Sequence, residues 1–216
     1  MRRLFQCAAW IFLAGACAFG QRASSSIDQE WRSYGHDPGG MRFSPLKQIN
    51  RTNVHQLQRA WTYDVTQGPD SGIEAFESTP LMVEGVLYFT TPTSRAIAVN
   101  AETGKELWVF DPFAGDSTKR RPVPNRGVAY WEGNSPSPCA GEGRKIDKRI
   151  FYPTLDGRLF ALDPQTGKPC SGFGTNGAIN LREGVADNYP KAAYDMSSAP
   201  TIYRNLVITG SEVQEH

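Results

Sequence analysis

Between Phe76 and Trp108, short runs of apolar and β-branched residues alternate with turn-forming residues. The runs Leu81–Val83, Val86–Thr90, Ala96–Val99 and Leu107–Phe110 are separated by Glu84-Gly85, Pro92–Ser94 and Glu102-Thr103-Gly104. This pattern predicts a four-stranded antiparallel meander. It recurs: a gapless shift of 63 residues lays Leu87–Lys105 over Ile150–Lys168, matching Arg95 with Arg158, Ala98 with Ala161, and Thr103-Gly104-Lys105 with Thr166-Gly167-Lys168. A shift of 120 lays Ser78-Thr79-Pro80 over Ser198-Ala199-Pro200 and Val86-Leu87 over Leu206-Val207. A repeated sheet unit with a glycine turn and a terminal tryptophan predicts an all-β propeller, because one blade cannot bury both of its faces and must stack on neighbours. About three blades can be counted, the last incomplete, and roughly four to eight are needed to close a ring. The expectation is therefore the N-terminal part of a longer polypeptide, ending mid-blade at Val207–His216, with a chain completed by a partner as the alternative.

Outside the repeat, Asn50–Leu57 carries a capping-type Asn with Ile49, Val54 and Leu57 on one side, which predicts a short helical turn. Ala60–Val65 reads as a strand. Residues 21–30 are polar and read as a flexible arm, and Trp31–Leu46 as a glycine-rich, aromatic-bearing loop over the edge of the first blade. Two long polar segments, Asp111–Lys148 and Ser171–Met196, read as insertions between strands. Loops of that length usually carry function, and in a propeller they gather on one face.

The composition, 39% apolar and 11% aromatic, supports a packed core, and 21 Gly with 15 Pro suit many strands and turns better than helices. A net charge of +1 with interspersed signs leaves no nucleic-acid footprint, and Lys119-Arg120-Arg121 reads as a solvated loop. Residues 1–20 read as a signal peptide: Arg2 and Arg3 precede an apolar core, Cys7–Phe19, and small residues Ala16, Ala18 and Gly20 offer cleavage. That core is short for a membrane span, so export with removal is expected. Lipidation of Cys17 is the lesser alternative, because Leu13 stands one place too far back for a good lipoprotein box. Export leaves Cys139 and Cys170 as a pair in an oxidising compartment, where a bridge contributes roughly 3–4 kcal/mol. His36 and His55 read as surface hydrogen-bonding residues.

Four stretches, together with Thr154-Leu-Asp156-Gly157-Arg158-Leu159, carry a resemblance. They are Trp31-x-x-Tyr34-Gly35 with Arg42-Phe43-Ser44-Pro45-Leu46; Asn53-Val54-x-x-Leu57-x-x-Ala60-Trp61; Glu77-Ser-Thr-Pro80 with Ala98-x-Asn100-Ala-x-Thr103-Gly104-Lys105-Glu-Leu-Trp108; and Asn125-Arg126-Gly127-Val-Ala-Tyr130-Trp131. In this order they resemble the quinoprotein dehydrogenases, periplasmic eight-bladed propellers that use pyrroloquinoline quinone (PQQ) and calcium to oxidise sugars or alcohols. The resemblance implies an oxidoreductase acting on CH–OH donors, passing electrons to a respiratory quinone or cytochrome c, and leaves room for peripheral membrane association.

Residue by residue, the resemblance implies that Glu77 is an acidic contact to the quinone and that Arg126 lies beside its carbonyl oxygens. A guanidinium fork there stabilises a developing oxyanion. Thr154 and Ser198 match hydroxyl contacts to the cofactor, with Ser197 only a neighbour of the latter. Glu215 falls where the family places a glutamate on calcium, a hard cation that takes carboxylate oxygen. The family's catalytic aspartate lies in later blades, so the catalytic group is expected beyond His216 and the 216 residues alone are expected not to turn over substrate. The adjacent cysteines of many alcohol-oxidising members are absent before Asn125, where Arg121-Pro-Val-Pro stands, and Pro122 replaces a histidine of the membrane-bound glucose members. Cys139 and Cys170 nevertheless flank the second blade as in that sugar-oxidising branch, so the sequence leans towards a glucose-dehydrogenase-like enzyme without the five-span membrane domain. The rival readings are a non-catalytic propeller of the same repeat, such as an outer-membrane assembly scaffold, and a carbohydrate-binding propeller using Tyr130, Trp131 and Tyr189.

Overall fold

A computed structural model describes residues 29–37, 39–70, 76–116, 118, 120–121, 125–134, 139, 146–185, 187–189, 192 and 194–213. The proposed leader, residues 21–28 of the arm, Glu215 and His216 lie outside them. The meander forms as the pattern predicts: β1 (Leu81–Val83), β2 (Val86–Thr90), β3 (Ala96–Asn100) and β4 (Glu106–Phe110) pair antiparallel in the order β1-β2-β3-β4. A second four-stranded sheet follows, β5 (Ala129–Gly133), β6 (Asp147–Pro153), β7 (Arg158–Leu162) and β8 (Ala178–Asn180), in the order β5-β6-β7-β8. After β9 (Tyr194–Asp195) comes a hairpin, β10 (Thr201–Tyr203) and β11 (Leu206–Ile208), and β12 (Glu212–Val213) returns to pair with β9. No α-helix occurs among the described residues.

Three of these strands, β5, β8 and β9, lie inside the segments read as insertions. The register locates β5: Leu81 pairs with Tyr88 and Ala129 with Phe151. Tyr88 and Phe151 differ by 63 residues but Leu81 and Ala129 by only 48, so an extra 15 residues after β5 displace it from the gapless repeat. β8 escapes the pattern for another reason: Ala178-Ile179-Asn180 lacks the Leu-Trp ending of β4. At Asn50–Leu57 the turn is a single 3₁₀ turn, Val54–Gln56. The strand expected at Ala60–Val65 does not join a ladder with described residues. Trp61, Tyr63 and Val65 are half-buried at alternate positions and lie against the sheet rather than beside it.

Period-two alternation divides the first sheet into two buried faces. Leu81, Val83, Tyr88, Ala96, Ala98 and Trp108 pack against Tyr130, Ile150, Tyr152, Phe160 and Leu162 of the second sheet. Phe89, Ile97 and Val99, on the reverse side, are covered by Trp61, Tyr63 and Val65. The second sheet repeats this: Phe151, Leu159 and Ala161 turn away from the first sheet towards Ile202 and Val207 of the hairpin. Leu206 and Ile208 on the hairpin remain exposed. Each sheet thus depends on its neighbours for burial, the stacking logic of a propeller.

Glycine turns lock the sheets together. The Trp108 ring lies over Gly167, a turn residue of the next blade with φ of 67°, and its indole N–H donates to the Pro164 carbonyl at 2.8 Å. Trp61 sits in the same way over Gly104 of the first blade. Cys139 and Cys170 are joined by a disulfide, clipping the β5–β6 connection to the β7–β8 connection of one sheet. Glu30, at the end of the segment read as a flexible arm, is anchored: its carboxylate accepts the Glu84 N–H at 3.0 Å and pairs with Arg32 at 2.5 Å. Trp31 then bridges to Met82 on the free edge of β1 through N–H···O contacts of 2.8 and 2.9 Å.

Candidate functional site

Antiparallel order sorts the loops onto two faces. β1, β5 and β10 start on one face, where the β2–β3 and β6–β7 turns and the interblade connections also lie; the β1–β2 turn, the Thr-Gly-Lys turns and the disulfide lie on the other. Glu77, Arg126 and Ser198 lie in the segments that lead into β1, β5 and β10, and Thr154 opens the β6–β7 turn. All four therefore stand on one face.

Backbone hydrogen bonds sew the three strand entrances together. The Thr79 N–H donates to the Arg126 carbonyl at 3.1 Å, and the Arg126 N–H donates to the Ser197 carbonyl at 2.7 Å. Above this seam the Arg126 guanidinium pairs with the Glu77 carboxylate at 3.1 Å and donates to the Ser197 hydroxyl at 3.1 Å. Both charged side chains are nearly half exposed, at 47% and 46%. An ion pair so exposed adds only about 0–1 kcal/mol to stability. Of the five guanidinium N–H groups, these contacts engage two among the described residues, leaving the fork able to take oxygens from a ligand.

The structure brings Glu77 and Arg126 together and separates the two hydroxyl candidates. Ser198 is exposed, but the hydroxyl that touches Arg126 belongs to Ser197. A signal for Ser197 is present in the sequence: the 120-residue shift that aligns β1 with β10 places it opposite Glu77. Thr154 is fully buried, and its hydroxyl lies 2.5 Å from Asp156 Oδ1 and 3.0 Å from the Arg158 carbonyl oxygen, inside its own turn. The turn is near Arg126 nonetheless, because the Asn125 amide donates to the Pro153 carbonyl at 2.9 Å.

The insertions meet on this face, and the run read as solvated is largely engaged. Arg120 pairs with Asp111 at 2.6 Å, and Arg121 pairs with Asp195 and donates to the Leu155 carbonyl at 3.3 Å. Arg121, Leu155, Asp156, Arg182, Tyr194 and Asp195 help to line a cavity of about 280 Å³. Among the described residues no group of three His, Cys, Asp or Glu is placed to hold a metal ion. The metal candidate Glu215 lies outside the described residues.

Residues 31–216 match the family described as "PQQ: Glucose/ethanol/alcohol dehydrogenase, beta-propeller domain". The chain is 36% identical over 196 residues to "Quinoprotein glucose dehydrogenase" of Escherichia coli, covering 89% of this chain and 24% of that protein. It is 35% identical over 201 residues to "Quinate/shikimate dehydrogenase (quinone)" of Acinetobacter baylyi, covering 86% and 24%. Among solved structures, quinohemoprotein alcohol dehydrogenase from Comamonas testosteroni superposes with a TM-score of 0.64 at 29% identity, covering 89% of this chain and 26% of that one. The chain spans about a quarter of the length of the curated relatives it matches.

Proposed function

Because the chain belongs to the quinoprotein glucose/ethanol/alcohol dehydrogenase β-propeller family, we propose that it supplies the first blades of an eight-bladed, PQQ- and calcium-dependent dehydrogenase. The enzyme acts in the periplasm on a CH–OH donor, a glucose-like sugar or a primary alcohol, and passes electrons to a respiratory quinone or cytochrome c. One observation carries the reading: Glu77, Arg126 and Ser197, from the entrances of three successive sheets, meet at a half-exposed point where their pairing adds little to stability.

Such a donor set suits PQQ, a flat quinone with adjacent carbonyls and three carboxylates. When bound, PQQ supplies the two-electron acceptor chemistry that side chains lack. Arg126 would hold carbonyl or carboxylate oxygens with its fork and stabilise negative charge developing there. Glu77 would orient the guanidinium from the opposite side, and Ser197 and Ser198 would offer hydroxyls. Thr154 would act chiefly by shaping the turn, since its hydroxyl is directed inward. Within this chain the calcium part of the reading rests on Glu215, outside the described residues.

Titrating the protein with PQQ while following tryptophan fluorescence and quinone absorbance tests the reading. Saturable uptake is expected, weakened about tenfold or more by Arg126→Ala, the equivalent of one charge-assisted hydrogen bond. The 216 residues alone are expected to show no dye reduction with PQQ, calcium and glucose, the catalytic group being placed beyond His216 in this reading. Absence of saturable uptake, or indifference to Arg126→Ala, would overturn the cofactor assignment.

A further inference from the structure

The register makes Glu77, Asn125 and Ser197 equivalent positions in successive sheets, four residues before Leu81, Ala129 and Thr201. Two of the three present polar side chains to Arg126. The middle one does not: Asn125 is buried to 1% exposure beneath the cluster. Its carboxamide oxygen accepts the Gly127 N–H at 3.0 Å while its NH₂ donates to the Pro153 carbonyl at 2.9 Å. Its own carbonyl accepts the Thr90 hydroxyl at 2.8 Å, and Thr90, fully buried, also contacts the Ser78 hydroxyl at 3.1 Å.

Building on the cofactor reading above, we propose that Asn125, with Thr90 behind it, is the positioning residue that aims Arg126 at the quinone site. The guanidinium is half exposed and held by two side-chain contacts, to Glu77 and Ser197, so its direction depends on where its backbone is held. That backbone is clamped from below by a chain of neutral hydrogen bonds, Ser78–Thr90–Asn125–Pro153, running from the entrance of the first sheet to the far end of β6. Gly127 completes the clamp. Its φ of 125° is open to glycine, and a Cβ there would stand 3.0 Å from the Thr79 carbonyl oxygen. The amide suits this position because it donates and accepts at once without charge. Asp at 125 would put an acceptor against the Pro153 carbonyl and bury a charge.

A double-mutant cycle on PQQ affinity, read by fluorescence titration, separates positioning from general stability. Asn125→Ala and Thr90→Val are each expected to weaken PQQ binding about tenfold when Arg126 is present, the scale of one lost charge-assisted contact. In the Arg126→Ala background each should change affinity less than about twofold, whereas the urea midpoint should fall equally in both backgrounds. Equal losses of affinity in both backgrounds would overturn the inference, as would unchanged affinity in both single variants. If the parent protein takes up no PQQ, the cofactor reading fails and this inference falls with it; if the parent binds and the cycle is additive, the inference fails alone.

Discussion

Replacing Gly167 by alanine tests the interblade lock directly. An added Cβ would lie 2.6 Å from two carbons of the Trp108 ring and 3.0 Å from a third, well inside contact distance. Trp108 has little room to yield, since it is buried to 8% exposure, packed beside Tyr88 and tied to Pro164 by its indole N–H. The positive φ of 67° adds about 1–2 kcal/mol for any L side chain. Overpacking adds about 1–3 kcal/mol, and losing the indole hydrogen bond about 1 kcal/mol. The sum, roughly 3–6 kcal/mol, is a large part of the roughly 5–15 kcal/mol that holds a typical domain folded. Gly85→Ala provides the control: φ is 76°, but nothing lies within 4 Å of the new Cβ, so only the backbone term of about 1–2 kcal/mol applies. Urea unfolding followed by tryptophan fluorescence should therefore place Gly167→Ala about 2–4 kcal/mol below Gly85→Ala, the difference of the terms above. If the two variants fall within about 0.5 kcal/mol of each other, the ring contact does not hold the blades in register.

Two further outcomes concern the disulfide and the buried phenols. Replacing Cys139 and Cys170 by serine opens a 31-residue loop and should lower stability by about 3–4 kcal/mol, seen as a shift in urea midpoint that reductant reproduces in the parent protein; no shift with either would show that the clip does not constrain the unfolded chain. Burial pushes the phenols of Tyr88 and Tyr152 well above the usual tyrosine value, and their hydroxyls donate to the Pro164 and Ser94 carbonyls. The folded value being the higher, the unfolded chain loses its phenolic protons first, so this stability is intact below about pH 10 and declines above it by up to about 1.4 kcal/mol per pH unit per tyrosine. Urea midpoints should fall as the pH is raised through about 10 to 11, and Tyr152→Phe should flatten the slope; a flat parent profile would contradict the burial argument.

The sequence by itself determined what depends on neighbours along the chain. The strands of the first sheet follow from period-two apolar runs and turn residues, and the partners Leu206–Ile208 and Thr201–Tyr203 from the 120-residue shift. Glu77 and Arg126 were singled out by the resemblance that Glu77-Ser-Thr-Pro80 and Asn125-Arg126-Gly127 carry. Tertiary structure decided whatever depends on which blade faces which. β5 escaped because 15 extra residues break the repeat, and only pairing with β6 reveals its register. Ala60–Val65 has the alternation of a strand, yet its apolar side is satisfied by lying on Phe89, Ile97 and Val99, and alternation alone cannot tell covering a sheet from joining it. The hydroxyl beside Arg126 proved to be that of Ser197, 71 positions along the chain, while Thr154 points into its own turn, since a side chain's direction is set by contacts between residues distant in sequence. Local periodicity is written into the chain, but the partner of each polar group is chosen only when the sheets stack.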